Sequence, residues 1–172
     1  MTDKITIFGY GSLMNLDFLC KTVPNVTDIT PVILQNHIRI FETASTTRFD
    51  KDNTPAAVLN ITEHNEAKIN GVCFHVEQDY FDELLEREKA YELREVIVET
   101  CDTGEKMKAF VFVDKMKQKQ NFLFDEKTQI DYLNICLEGA RQFGEEFYRM
   151  FLESTHINNK KLIEINEIKH LL

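Results

Sequence analysis

The chain has 172 residues, of which 43% are apolar and 28% charged, with six glycines and three prolines, a mixture that excludes a disordered or fibrous polypeptide. That length suits one sizeable core, so a single domain over residues 1–172 is expected. Twenty Lys and Arg against 29 Asp and Glu leave a formal charge of −9, which repels phosphate backbones and argues against nucleic acid or an anionic membrane as partner.

The N-terminal Met1-Thr2-Asp3-Lys4 lacks the layout of a secretory signal, and no apolar run approaches the ~20 residues that span a bilayer, so a cytoplasmic protein is expected. Residues 4–8 read as a β-strand, and Gly9-Tyr10-Gly11-Ser12 marks a tight strand-to-loop transition. A short helix is expected over 15–19, after which Pro24 and Pro31 punctuate the chain. Residues 35–41 alternate as a half-buried strand, the polar stretch 43–54 reads as an irregular loop, and 55–61 resume the sheet. Asn70-Gly71 predicts a hairpin turn, with 72–76 as the partner strand. Phe81, Leu84 and Leu85 form an apolar helical stripe whose next position is occupied by Glu88. Strands over 96–101 and 108–113 are joined by a turn at 102–105, and helical spacing runs from about 125 to 152. Residues 160–172 suit either a docked helix or a final strand with a tail. Several strands in hairpin relation and two helical stretches predict an α+β fold, built on a small curved antiparallel sheet or partly closed barrel.

Cys20, Cys73, Cys101 and Cys136 form no C-x-x-C pair and read as small buried hydrophobes. His37, His64, His75, His156 and His170 are scattered, with no metal-ligand spacing. Two features carry chemistry. In the loop Gly9-Tyr10-Gly11-Ser12-Leu13, glycines allow successive backbone N–H groups to converge on a carboxylate or a developing oxyanion, although the same residues also suit a plain turn. The loop lacks the lysine of a phosphate-binding motif and the third glycine of a dinucleotide fingerprint. Glu88, placed where the core would be, is expected to have a pKa raised by burial and so to exchange protons near neutrality, unless it merely bonds Arg94 or a strand backbone. Glu83 and Glu86 fall off the stripe and read as solvated.

Three blocks together, Phe8-Gly9-Tyr10-Gly11-Ser12-Leu13, Glu86-Arg87-Glu88-Lys89-Ala90-Tyr91 and the run from Asp131 through Tyr132 to Gly139-Ala140, resemble the γ-glutamylcyclotransferase superfamily, which includes ChaC-like and AIG2-like proteins. The resemblance covers about residues 5 to 150. It implies a small mixed, mostly antiparallel β-barrel flanked by helices. It also implies a cofactor-free enzyme, monomer or homodimer, that converts a γ-glutamyl amino acid, a γ-glutamylamine or glutathione to 5-oxoproline. In that likeness the loop Gly9, Tyr10, Gly11, Ser12 and Leu13 holds the γ-glutamyl group, Glu88 is the catalytic acid and base, and Tyr91 and Tyr132 line the pocket. The chain departs from the family at Lys89-Ala90, where ChaC-like members have two glycines, and at Leu13, where the animal enzyme has asparagine.

Arg39 and Arg48 are candidates to meet a second carboxylate, or else are surface cations. Two rival readings remain at this level. One is a non-catalytic domain that binds a small γ-glutamyl or acidic ligand. The other is an interaction protein that uses the apolar segment 162–172.

Overall fold

The computed structural model describes residues 3–115 and 118–172. Strand β1 (Lys4–Gly9) leads through a 3-10 turn at Ser12–Met14 into helix α1 (Leu16–Thr22), whose N-cap Asn15 accepts the Phe18 N–H on Oδ1. Two strands of 23 residues follow, β2 (Thr27–Phe49) and β3 (Pro55–Glu77), paired antiparallel along most of their length. Helix α2 (Gln78–Arg87) then precedes the β4 (Tyr91–Thr100) and β5 (Lys106–Asp114) hairpin. The chain continues with α3 (Lys127–Arg141), α4 (Glu145–Ser154), and the short strands β6 (Thr155–Ile157) and β7 (Lys160–Lys161).

The strand order β3-β1-β5-β4-β2 closes on itself because β2 also pairs with β3, giving a five-stranded barrel. All its pairings are antiparallel except β1 with β5, so the barrel is mixed. Closure leaves none of these strands with a free edge along its paired length. Strand β6 adds in parallel to the far half of β2, at Arg39 and Ile40, and β7 pairs with β6. Ile7, Val32, Ile69, Phe74, Val98 and Val111 fill the barrel core, and Leu133, Leu137 and Phe151 bring α3 and α4 onto it.

Several sequence expectations change. Asn70-Gly71 makes no turn and lies inside β3, opposite Ile33 and Val32. Glycine is required there because a Cβ would stand 2.3 Å from the Phe8 ring and 2.5 Å from the Gly9 carbonyl oxygen, at the end of the neighbouring strand β1. The ladder breaks instead at Asn36 and Glu66, both at positive φ, where the Glu66 N–H donates to Asn36 Oδ1. Residues 43–54 are mostly strand, and only the turn between Phe49 and Pro55 is irregular. The helical stretch predicted over 125–152 is two helices, broken at Gly144, whose φ is +97°.

The C-terminal segment is docked: β7 is followed by 3-10 turns at Leu162–Glu164 and Asn166–Leu171, with Leu162, Ile165 and Ile168 buried. The chain itself thus covers most of the apolar stripe offered above as a partner surface. Cys73 and Cys136 are buried as expected, whereas Cys20 and Cys101 are exposed.

Candidate active site

β1 ends at Gly9 because the next residue is pinned away from the ladder. The Tyr10 hydroxyl donates to the Phe112 carbonyl on β5 at 2.7 Å, and the Tyr10 carbonyl accepts from Arg39 Nη1 at 2.8 Å. The peptide between Tyr10 and Gly11 is trans. Its N–H therefore points opposite to its carbonyl, away from Arg39, and Gly11 itself lines the cavity. The N–H groups of Gly11, Ser12 and Leu13 have no acceptor among the described residues, as expected where a helical turn begins.

Arg39 lies under this loop as a fully buried cation, which corrects both earlier expectations for it: it is neither on the surface nor in the cavity wall. Its guanidinium donates to the Tyr10 carbonyl, to the Asn70 carbonyl and Oδ1, to Ser154 Oγ and to Thr155 Oγ1, and it stacks 4.3 Å from the Phe151 ring centroid. Burial lowers its pKa to about 9, so it stays charged at neutral pH. No carboxylate among the described residues pairs with it. A positive charge without a carboxylate partner among the described residues thus sits behind the Tyr10 carbonyl and polarises the peptide that joins Tyr10 to Gly11.

Glu88 is not a stripe residue. Helix α2 ends at Arg87, and Glu88 is its C-cap, with φ −96° and ψ 21°. The Glu88 N–H donates to the Leu84 carbonyl, and the Glu88 carbonyl accepts the Tyr91 N–H, both at 2.8 Å. Its side chain is 28% exposed and lies 3.5 Å from Arg87 Nε, so it is wetter than the sequence periodicity implies, and it bonds neither Arg94 nor a strand backbone. The carboxylate is close enough to act on two phenols. Burial, then Glu88 and Asp114, push the Tyr91 hydroxyl up to about 12. Burial, Tyr91, Asp114 and Glu88 push the Tyr10 hydroxyl well above its usual value. Both hydroxyls are therefore neutral donors at physiological pH.

One cavity of about 350 Å³ collects these groups at the barrel end where β1 and β5 finish and β4 starts. Gly9, Tyr10, Gly11, Ser12, Leu13, Glu88, Tyr91 and Tyr132 all line it. Tyr132 reaches in from α3. Its hydroxyl accepts the Leu59 N–H at 3.2 Å and stands 3.2 Å from where a Gly11 Cβ would be. Behind it, Gly139 of α3 packs on Asn15, where a Cβ would meet the Asn15 backbone nitrogen at 2.6 Å, so the helix clamps the end of the loop.

The stretch 43–54, read from the sequence as an irregular loop, supplies one wall, with Arg48 in it, but as a bulged strand. Between the pairs Ala44 with Ala57 and Phe49 with Pro55, β2 uses three more residues than β3, and the excess bulges into the cavity as Ser45, Thr46, Thr47 and Arg48. Ser45 Oγ closes the bulge by accepting the N–H groups of Thr47 and Arg48, at 3.2 and 2.9 Å. The run Ser-Thr-Thr-Arg is the available signal, and its polarity reads equally well as a loop.

A family model described as ChaC-like protein matches residues 5–145. No curated protein matches the chain. Among solved structures, a γ-glutamyl cyclotransferase is similar with a TM-score of 0.72 and 17% identity, covering 98% of each chain. An uncharacterized protein from Homo sapiens has the same TM-score, 0.72, and 17% identity, over 98% of this chain and 97% of its own. A yeast γ-glutamyl cyclotransferase specific to glutathione has a TM-score of 0.65 and 15% identity, over 91% of this chain and 99% of its own. At these identities the likeness is one of fold, and the closed mixed barrel with flanking helices is the one expected above.

Proposed function

The chain belongs to the ChaC-like protein family, and from that premise we propose that it is an enzyme of the γ-glutamylcyclotransferase type, releasing 5-oxoproline and a free amine or amino acid from a γ-glutamyl amide. The observation that carries this reading is that one ionisable carboxylate, Glu88, shares a cavity with the free N–H row of Gly11, Ser12 and Leu13.

The chemistry needs little else. A γ-glutamyl amide carries its own nucleophile, the α-amino group, which reaches the γ-carbonyl carbon to close a five-membered ring once the substrate is folded back on itself. The Glu88 carboxylate takes a proton from the α-ammonium, and the freed amine attacks. Negative charge on the former carbonyl oxygen is met by the loop N–H groups, whose peptide dipole Arg39 strengthens from behind. Glu88 returns its proton to the leaving nitrogen, and the C–N bond breaks. The two protons shed by the attacking nitrogen end on the released amine, so the step balances without cofactor or water. The neutral hydroxyl of Tyr91 keeps a donor in the cavity while the carboxylate cycles, whereas that of Tyr10 is committed to the Phe112 carbonyl.

The test is a substrate panel. Purified protein is incubated with a γ-glutamyl amino acid, glutathione and γ-glutamyl-lysine, and 5-oxoproline is measured by mass spectrometry. Release from at least one of them is expected. Binding with no release from any would leave only a ligand-binding domain on this fold.

A further inference from the structure

Arg48 is a cation of the cavity wall. Its guanidinium carbon lies 5.0 Å from the Tyr132 ring centroid and 5.5 Å from that of Phe18, within the range of cation–π contact. No carboxylate among the described residues lies within ion-pair distance of it, whereas the other cationic residue of the cavity wall, Arg87, faces Glu88. No side-chain hydrogen bond among the described residues engages the N–H groups of the Arg48 guanidinium, and a guanidinium edge matches a carboxylate through two parallel hydrogen bonds. Ser45 Oγ fixes the Arg48 backbone, which reduces the freedom lost when a ligand binds. The charge is also in the right place to offset a general handicap: a protein of net charge −9 repels an acidic substrate unless a local cation receives it.

We infer that Arg48 receives the carboxylate of the leaving amino acid, so that the cavity selects γ-glutamyl amino acids and peptides over γ-glutamyl amines lacking that group. The inference rests on the cyclotransfer reading and deepens it. The division of labour follows from the walls. The loop over residues 9–13 and Glu88 handle the glutamyl half, and the β2 bulge, the side not needed for ring closure, is left to the leaving group. At about 350 Å³ the cavity stands at the low end of ligand pockets, which run roughly 300–1,000 Å³, and suits a dipeptide-sized substrate.

The matched probes are γ-glutamylalanine and γ-glutamylethylamide, which differ only by the alanine carboxylate. Wild type should favour the first in kcat/KM. Arg48→Met, which keeps an apolar cover over Tyr132, should lose about 100-fold on γ-glutamylalanine and less than about threefold on the ethylamide, with Arg48→Lys between because it keeps the charge and loses the fork. Equal losses on both probes would place Arg48 on the glutamyl half, and no loss on either would remove it from recognition; both outcomes overturn the inference. Calorimetric binding to Glu88→Gln, with and without Arg48→Met, separates the two readings. Arg48-dependent binding of γ-glutamylalanine with no wild-type turnover upholds the carboxylate site and defeats cyclotransfer. Turnover with an indifferent Arg48 does the reverse, and binding that does not depend on Arg48 contradicts the inference in either case.

Discussion

Gly11 shows how closely the site is built at the scale of one residue. Its missing side chain leaves room for the Tyr132 hydroxyl, 3.2 Å from the position a Cβ would take, and for the Leu59 side chain at 3.6 Å. A valine would displace the hydroxyl from the Leu59 N–H and tilt the ring on which Arg48 rests. Overpacking of this kind costs about 1–3 kcal/mol. Because the displaced groups are the cavity lining itself, the damage should fall mainly on recognition. Gly11→Val is expected to weaken γ-glutamylalanine binding at least about tenfold while the protein still melts cooperatively. Unchanged affinity by calorimetry would show that the loop does not cradle the substrate. Arg39 makes the complementary point. Its five oxygen contacts and its ring satisfy a buried charge, and the surplus field is directed through Tyr10 at the same loop.

Among the elements, β6 carries a pH dependence of its own. His156 pairs with Ile40 of β2, and its Nδ1 is buried without a hydrogen-bond partner among the described residues. Burial lowers the pKa of the ring below its ordinary 6.5, and nearby Lys161 adds to the effect. The folded protein therefore binds this proton less readily than the unfolded chain. The stability His156 contributes is complete above pH 6.5 and is lost as pH falls through the depressed value. Asp28, Asp50 and Glu92, whose hydrogen bonds hold their carboxyls below the ordinary range, act at lower pH. Between pH 7 and 5 the melting temperature should fall, and His156→Gln should flatten that fall. Parallel curves for the two proteins would rule out this origin.

The elements also show what was legible. Strand β1, the β4–β5 hairpin and α2 follow from plain alternation or a 3.6-residue stripe, and the functional loop follows from glycines at a strand end. The 23-residue strands were fragmented because bulges at Asn36, Glu66 and Ser45 to Arg48 break the alternation that marks a strand. Asn70-Gly71 favours a tight turn, but the pair also suits a strand whose neighbour approaches closely, with the Asn70 side chain bonded to Arg39 and to the Phe147 carbonyl. Glu88 was found for a partly mistaken reason: the stripe pointed to it, but the helix ends one residue earlier.

At the scale of the whole molecule, barrel closure is what makes a cavity from residues far apart in sequence. It carries the end of β1, the bulge of β2, the C-cap of α2 and the start of β4 to one rim, and α3 supplies Tyr132 from outside the sheet. No periodicity announces closure, since it depends on β2 meeting both β4 and β3. The central claim is that this rim moves a proton through Glu88 while a γ-glutamyl group cyclises. The most direct measurement is 5-oxoproline release by Glu88→Gln, a substitution of equal size that cannot exchange the proton, with circular dichroism and melting temperature recorded beside it. The account predicts native folding and a fall in kcat of at least about 100-fold, as expected when a general acid and base is removed. Release at the wild-type rate by the folded variant would contradict it.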